Sequence, residues 1–298
     1  MSAYLMNNYG KRTLSLVKGE GRYVWDSEGR RYLDALTGIA VCGLGHSHPA
    51  VTRAIAEQAA TLSHVSNYFR IPQQESLAEK LCSVSGMEKV FFSNSGAEAN
   101  EAAIKLTRLY AREKGIAKPT VIVMEHCFHG RTLATLSATW GAKVRQGFEP
   151  LVERFVHVPY NDIEAVARHS GDDSVVAVMM EPVQGEAGIN IPADDYLQKL
   201  RTVCDQNGWL LVLDEIQTGN GRSGAYFASS LAGVQADIMT TAKGLGNGVP
   251  IGACMARGIA ADLFGPGSHG STYGGNPLVC AAANKVFDVI QEEQLTAR

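Results

Sequence analysis

Long hydrophobic runs are absent from this 298-residue sequence. The apolar stretches "VVAVMM" and "WLLVL" fall far short of the ~20 residues that span a bilayer, so no membrane association is expected. Positive charge is not concentrated either. Lys and Arg number 27 against 30 Asp and Glu, giving a net charge of −3, and no basic run offers the footprint of a nucleic-acid partner. The six cysteines (Cys42, Cys82, Cys127, Cys204, Cys254, Cys280) include no C-x-x-C pair, which favours reduced thiols in a cytosolic chain over a disulfide framework. The N-terminus "MSAYLMNNYGKRTLS" lacks an apolar core followed by a small-residue cleavage site, so no secretory signal is evident and the expected location is cytoplasmic. His46-Ser47-His48 and His126 with His129 lack a second ligand pair at zinc-like spacing, and no metal is expected. No G-x-x-x-x-G-K-[ST] phosphate loop occurs.

What is present is an ordinary globular composition, 45% apolar with 31 glycines. "RYVWDSEGRRYLDA" predicts a hairpin around a Ser-Glu-Gly turn. From Pro49 onward, helices and strands alternate. "PAVTRAIAEQAATL", "QQESLAEKLCSV", "AEANEAAIKLTRLYAREKG" and "DDYLQKLRTVCDQNG" carry apolar residues at helical spacing. "KVFFS", "TVIVME", "VVAVMMEP", "WLLVLDE" and "DIMTTAKG" are short, nearly continuous apolar runs. That pattern predicts an α/β fold with a mostly parallel central sheet flanked by helices. Ligands of such sheets bind beyond the carboxyl ends of the strands.

"LVLDEIQTGNGRSG" contains a G-x-G-x-x-G match at Gly219, Gly221 and Gly224. A dinucleotide-binding oxidoreductase would need those glycines at a tight strand-to-helix turn, with an acid ending the next strand to bind ribose. Here "DEIQT" intervenes, Asp237 begins the following strand, and Lys243 stands at its far end. The charged residues at the strand ends are therefore more informative than the glycines. After "KVFFS", Gly96 and Ala97 open a helix whose N-terminal N–H groups suit a phosphate; an ordinary helix cap would read the same way. After "TVIVME", Phe128 offers a flat ring, and Arg131 a planar fork for a carboxylate. "EPVQGEAG" brings Glu181 and Glu186. Asp214 ends an apolar strand, where a carboxylate is costly unless it meets a cation. Lys243 ends another, where partial desolvation favours the neutral, nucleophilic amine. Each alone has a bland explanation. Together they form the parts list for pyridoxal 5'-phosphate: a lysine for the aldehyde, an acid for the pyridine nitrogen, and a helix end for the phosphate.

The blocks "SGAEANEAAIKLTR", "FHGRT", "EPVQGEAG", "DEIQTGNGRSG", "AKGLGNGVPIGA" and "GSHGSTYGGNP" resemble, in the same order, those of the class III pyridoxal-phosphate-dependent aminotransferases. The likeness covers effectively the whole chain from Gly19. "GIAVCGLGHSHPAV", "SNYFRIPQQ" and "GFEPLVERFVHVPYND" are most similar to the acetylornithine aminotransferase subgroup. The resemblance implies a transaminase of the fold type I class that takes the terminal amino group of N2-acetyl-L-ornithine to 2-oxoglutarate. Succinylornithine, ornithine and 4-aminobutyrate are alternative amine donors within the family. It further implies that Lys243 and Asp214 are catalytic, and that Gly96, Ala97, Phe128, Asp214, Glu215, Ile216, Gln217, Lys243 and Thr272 hold the cofactor. Arg131, Glu186 and Ser271 would meet substrate. Ser271 and Thr272 would reach toward a neighbouring subunit, so a homodimer with shared sites is implied.

By the same resemblance, residues 1–45 would contribute to a small domain and 46–298 would form the large cofactor-binding domain. Family members continue into a C-terminal small domain, which supplies the arginine partner of the glutamate matched by Glu186. This chain stops at "FDVIQEEQLTAR", within what reads as a helix, so a truncated chain is expected, and a catalytically silent fragment is the rival reading. "SNYFR" replaces the subgroup's usual "SNLYR", which is expected to shift substrate contacts at Tyr68 and Phe69.

Overall fold

The strands, in chain order, are β1 (Leu16–Glu20), β2 (Tyr23–Asp26), β3 (Arg31–Leu33), β4 (Lys89–Ser93), β5 (Thr120–Met124), β6 (Phe155–Val158), β7 (Val175–Met180), β8 (Leu210–Asp214), β9 (Ile238–Thr241) and β10 (Gly252–Ala256). In the computed structural model, which describes residues 4–297, β1–β3 form an antiparallel sheet containing the expected hairpin. The remaining strands form a seven-stranded sheet in the order β4-β10-β9-β8-β7-β5-β6. Strands β9, β8, β7, β5 and β6 run parallel. β10 is antiparallel to both β4 and β9, so β4 again points with the parallel set.

Every residue of β5, β7, β8, β9 and β10 is buried. Helices on both faces are what make such strands soluble. Each fully buried Leu or Val there, such as Leu211, Leu213 or Val178, contributes about 1.5–3 kcal/mol relative to exposure. The helix Gly96–Glu113 presents Ala99, Ala102, Ala103 and Leu106 to β4, β9 and β10, and its alanines allow close approach to the sheet. Ser95 caps it by accepting the Glu98 N–H at 3.2 Å, and Gly115, at φ +71°, follows its end. The helix Pro277–Glu292 lies against Pro49–Thr61 and Pro72–Ser85. The helix expected to run to the last residues instead ends at Glu292; Gln294 takes φ +50°, and a 3-10 turn covers Leu295–Ala297.

The segment before Pro49 is tied to the turn that carries Lys243. Leu44 N–H donates to Asn247 Oδ1 at 2.9 Å, and Asn247 Nδ2 donates to Gly45 O at 3.0 Å. Asp34 Oδ2 meets His46 Nε2 at 2.6 Å. Gly21 and Gly45 cross so closely that a Cβ on Gly45 would stand 2.7 Å from Gly21 O.

Candidate active site

The parallel strands deliver their carboxyl ends to one edge of the sheet. The antiparallel β10 begins there, with Gly252 opposite Ser93. The loops leaving that edge enclose a cavity of about 370 Å3 whose wall includes Gly96, Ala97, Phe128, Arg131, Glu186, Asp214, Ile216, Gln217 and Lys243. Residues scattered over half the sequence thus converge because their strands are neighbours.

Lys243 leaves β9 in a tight 3-10 turn with φ +43°. Asn220 braces that turn, its Nδ2 donating to Thr241 Oγ1 at 2.9 Å and to Ala242 O at 3.1 Å. Here the glycine triplet finds its use. Gly221 and Gly224 adopt φ +86° and +95°, and a Cβ on Gly219 would stand 2.7 Å from Glu215 O, so the loop can fold back beneath the lysine. No α-helix lies between β8 and β9, which removes the strand-to-helix turn an oxidoreductase fingerprint requires. Burial pulls the Lys243 ammonium below its ordinary value, opposed by the nearby Asp214, Glu186 and Glu181 carboxylates. A larger neutral fraction makes it the better nucleophile.

Asp214 is 3% exposed, and its cost of burial is met by a full set of partners. Oδ2 pairs with His129 Nδ1 at 2.8 Å and accepts from Asn100 Nδ2 at 2.7 Å, while Oδ1 accepts the Ile216 N–H at 3.1 Å. Asn100 is itself fixed by Thr240 Oγ1 and by the His129 carbonyl, both at 2.8 Å. Burial opposes charge on His129, yet the Cys127 sulfur and Asp214 outweigh it and hold the imidazole well above its ordinary value. Its Nε2 is buried with no hydrogen-bond partner among the described residues. Burial also pushes Glu181, at the end of β7, up to about 7; its carboxylate accepts the Phe128 N–H at 3.0 Å. Neither His129 nor Asn100 was assigned a role from the sequence, and Glu181 was noted without one. Their significance lies in contacts with elements far along the chain.

The helix terminus at Gly96 sits in a deliberately tight place. A Cβ on Gly96 would stand 2.8 Å from Ile216 Cδ1, and one on Gly252 would stand 2.3 Å from Ser95 O. The first-turn N–H groups of Gly96 and Ala97 have no acceptor within their own helix and line the cavity. Phe128 forms another wall, with the Arg131 guanidinium 5.5 Å from its ring centroid. Arg131 is exposed and forms no ion pair among the described residues, which leaves its fork free for a carboxylate.

Three expected residues lie outside the cavity lining. Glu215 is fully buried beneath the loop that follows β8. Its carboxylate accepts from Thr218 Oγ1 at 2.7 Å and from the Ala228 and Ser229 N–H groups at 2.8 Å each, so it braces the loop, and its side chain does not line the cavity. Ser271 and Thr272 sit on a separate surface loop. Ser271 Oγ accepts from Gly274 N at 2.9 Å and from Asn94 Nδ2 at 3.2 Å, and Thr272 is exposed.

Comparison with known proteins adds to this geometry. An acetylornithine aminotransferase of Nitrosomonas europaea is 57% identical over 294 residues, covering 98% of this chain and 75% of the relative. Among solved structures, the ornithine aminotransferase of Toxoplasma gondii aligns with a TM-score of 0.95 at 36% identity, covering 99% of this chain and 70% of that one. The acetylornithine aminotransferase of Elizabethkingia anophelis aligns at 0.86, also at 36% identity, covering 99% and 72%. Residues 4–298 match the family model described as aminotransferase class-III, and the chain belongs to that family.

Proposed function

We propose that this chain is a pyridoxal-phosphate-dependent transaminase. It would move the terminal amino group of N2-acetyl-L-ornithine to 2-oxoglutarate, giving N-acetyl-L-glutamate 5-semialdehyde and L-glutamate, a step in arginine biosynthesis. The observation that carries the reading is the convergence of Lys243, Asp214 and the Gly96 helix terminus on one cavity. The cofactor's three recognition needs are met there: a partly desolvated amine, a buried carboxylate, and free N–H groups at a positive helix end. The choice of amine is supported by 57% identity, over 294 residues, to an acetylornithine aminotransferase.

When bound, pyridoxal phosphate supplies the aldehyde that takes up the amino group and a ring that draws electrons from the adjacent carbon. Lys243 Nζ would hold that aldehyde, and its amine would carry a proton to and from the substrate carbon. Asp214 would offer its carboxylate to the ring nitrogen, held against rotation by His129 and Asn100. Gly96 and Ala97 would hold the phosphate, Phe128 would stack on the ring, and Gln217 would serve the ring hydroxyl. Arg131 binds a substrate carboxylate. Glu186, exposed at the cavity wall, distinguishes the amine donor from the dicarboxylate acceptor.

The working unit in this proposal is a cytoplasmic homodimer in which Ser271 and Thr272 serve the neighbouring subunit's site. Residues 1–45 belong to a small domain and 46–298 to the cofactor-binding domain. Among the described residues no helix is long and apolar enough to cross a membrane. The test is glutamate formation from 2-oxoglutarate with N2-acetylornithine, ornithine or 4-aminobutyrate. The highest kcat/KM is expected with N2-acetylornithine. A higher value with either other amine would overturn the substrate assignment, and no turnover by cofactor-loaded protein would favour the silent fragment.

A further inference from the structure

The segment that follows β7 touches both neighbouring loops of the site, and one of its residues has no side chain where one would collide with the cavity wall. We propose that Gly185 is a positioning residue whose missing side chain holds Gln217 in place. This rests on the reading above only in assigning Gln217 to the cofactor. A Cβ on Gly185 would stand 1.8 Å from Gln217 Oε1, 2.5 Å from its Cδ and 3.0 Å from its Nε2. These are overlaps, so with alanine at 185 one partner must move.

Which partner moves follows from what holds each. The 181–190 segment is pinned at several points. Glu181 accepts the Phe128 N–H at 3.0 Å, and Gln184 Nε2 donates to Glu125 O at 2.7 Å. Gln184 and Asn190 exchange both backbone hydrogen bonds, at 3.1 and 3.0 Å, and Asn190 Nδ2 donates to Gln184 Oε1 at 3.0 Å. The Gln217 amide, by contrast, makes no hydrogen bond to any described residue. Gly185 is not in the left-handed region, so alanine meets no backbone penalty of its own. The side chain of Gln217 therefore yields. It stands in the wall shared by the 370 Å3 cavity and a second one of about 630 Å3, whose lining includes Ile189, Ile191 and Leu231, so space for the displacement exists on both sides.

A double-mutant cycle on the full chain isolates the effect. Apo forms of the wild type, Gly185→Ala, Gln217→Ala and the double variant are titrated with pyridoxal phosphate, and their melting temperatures are recorded. With Gln217 present, Gly185→Ala is expected to weaken cofactor binding about tenfold; in the Gln217→Ala background the change should stay within about twofold. Equal losses in both backgrounds, or no loss with Gln217 present, would overturn the proposal. So would a large drop in melting temperature in both backgrounds, which would mark a general packing role. A crystal structure of apo Gly185→Ala gives a readout independent of the cofactor. Gln217 is expected displaced there, and Gln217 in its original position overturns the inference. If the wild type takes up no pyridoxal phosphate, the functional reading fails while the crystal structure still decides this one.

Discussion

Replacing Glu215 by alanine separates a cofactor ligand from a structural brace. The carboxylate receives three hydrogen bonds, from Thr218 Oγ1, Ala228 N and Ser229 N, at a site with no exposure. Alanine leaves those donors unpaired, at about 1–3 kcal/mol each, partly offset by no longer burying a carboxyl group. The net loss is about 3–5 kcal/mol, a fall in Tm of roughly 6–15 °C for a chain of this size. Glutamine should fall between the two. It keeps one acceptor oxygen but turns an amide NH2 toward a donor that the second oxygen served. Burial raises the Glu215 value above the ordinary 4.5, against the hydrogen bonds from Thr218 and Ser229. The advantage of glutamate over alanine is therefore fully present below the ordinary carboxyl range and shrinks as pH rises through the raised value. Thermal melts across pH, with cofactor titration at a temperature where both proteins are folded, make the assay. A variant that keeps its Tm but loses pyridoxal phosphate affinity would refute the reasoning and restore Glu215 to the cofactor site.

Two further outcomes follow from the site. Burial pushes Glu181 up to about 7, with His129 opposing and Asp214 reinforcing, so the stability it contributes is present below the ordinary carboxyl range and lost as pH rises through about 7. Glu181→Gln, which retains an acceptor for the Phe128 N–H, should therefore flatten the dependence of Tm on pH between about 5 and 8, the gain at the alkaline end having a ceiling of about 3 kcal/mol; an unchanged slope would show that Glu181 does not titrate there. Arg131→Ala should raise KM for the carboxylate substrate about 10- to 100-fold, the worth of a charge-assisted hydrogen-bonded pair, with a smaller effect on kcat. An unchanged KM would remove Arg131 from substrate binding.

The sheet was legible because fully buried parallel strands read as nearly continuous apolar runs, as β5, β7 and β8 do and as β9 does up to its two threonines. β10 was missed: its "GACMA" follows a glycine-rich stretch, is built of small residues, and owes its strand state to pairing with β4 and β9 on either side. β6 is an edge strand, only partly buried and interrupted by His157, so its run lacks the continuous apolar character of the inner strands. At the site, residues that end strands could be found from position alone, hence Asp214 and Lys243. His129 could not, since its importance is a 2.8 Å contact with a carboxylate 85 positions away. Glu215 shows the opposite limit of sequence position as a guide. Adjacent to Asp214 in sequence, it faces the other way, as successive side chains do where a strand ends.

The central claim is that Lys243 is the residue that holds the cofactor's aldehyde. Incubation of the purified protein with pyridoxal phosphate, reduction with borohydride, and peptide mass mapping test it directly. A phosphopyridoxyl mass is expected on the peptide containing Lys243, and neither that label nor the visible absorbance of the wild-type complex in Lys243→Ala. Label on a different lysine, or an unchanged chromophore in Lys243→Ala, would contradict it.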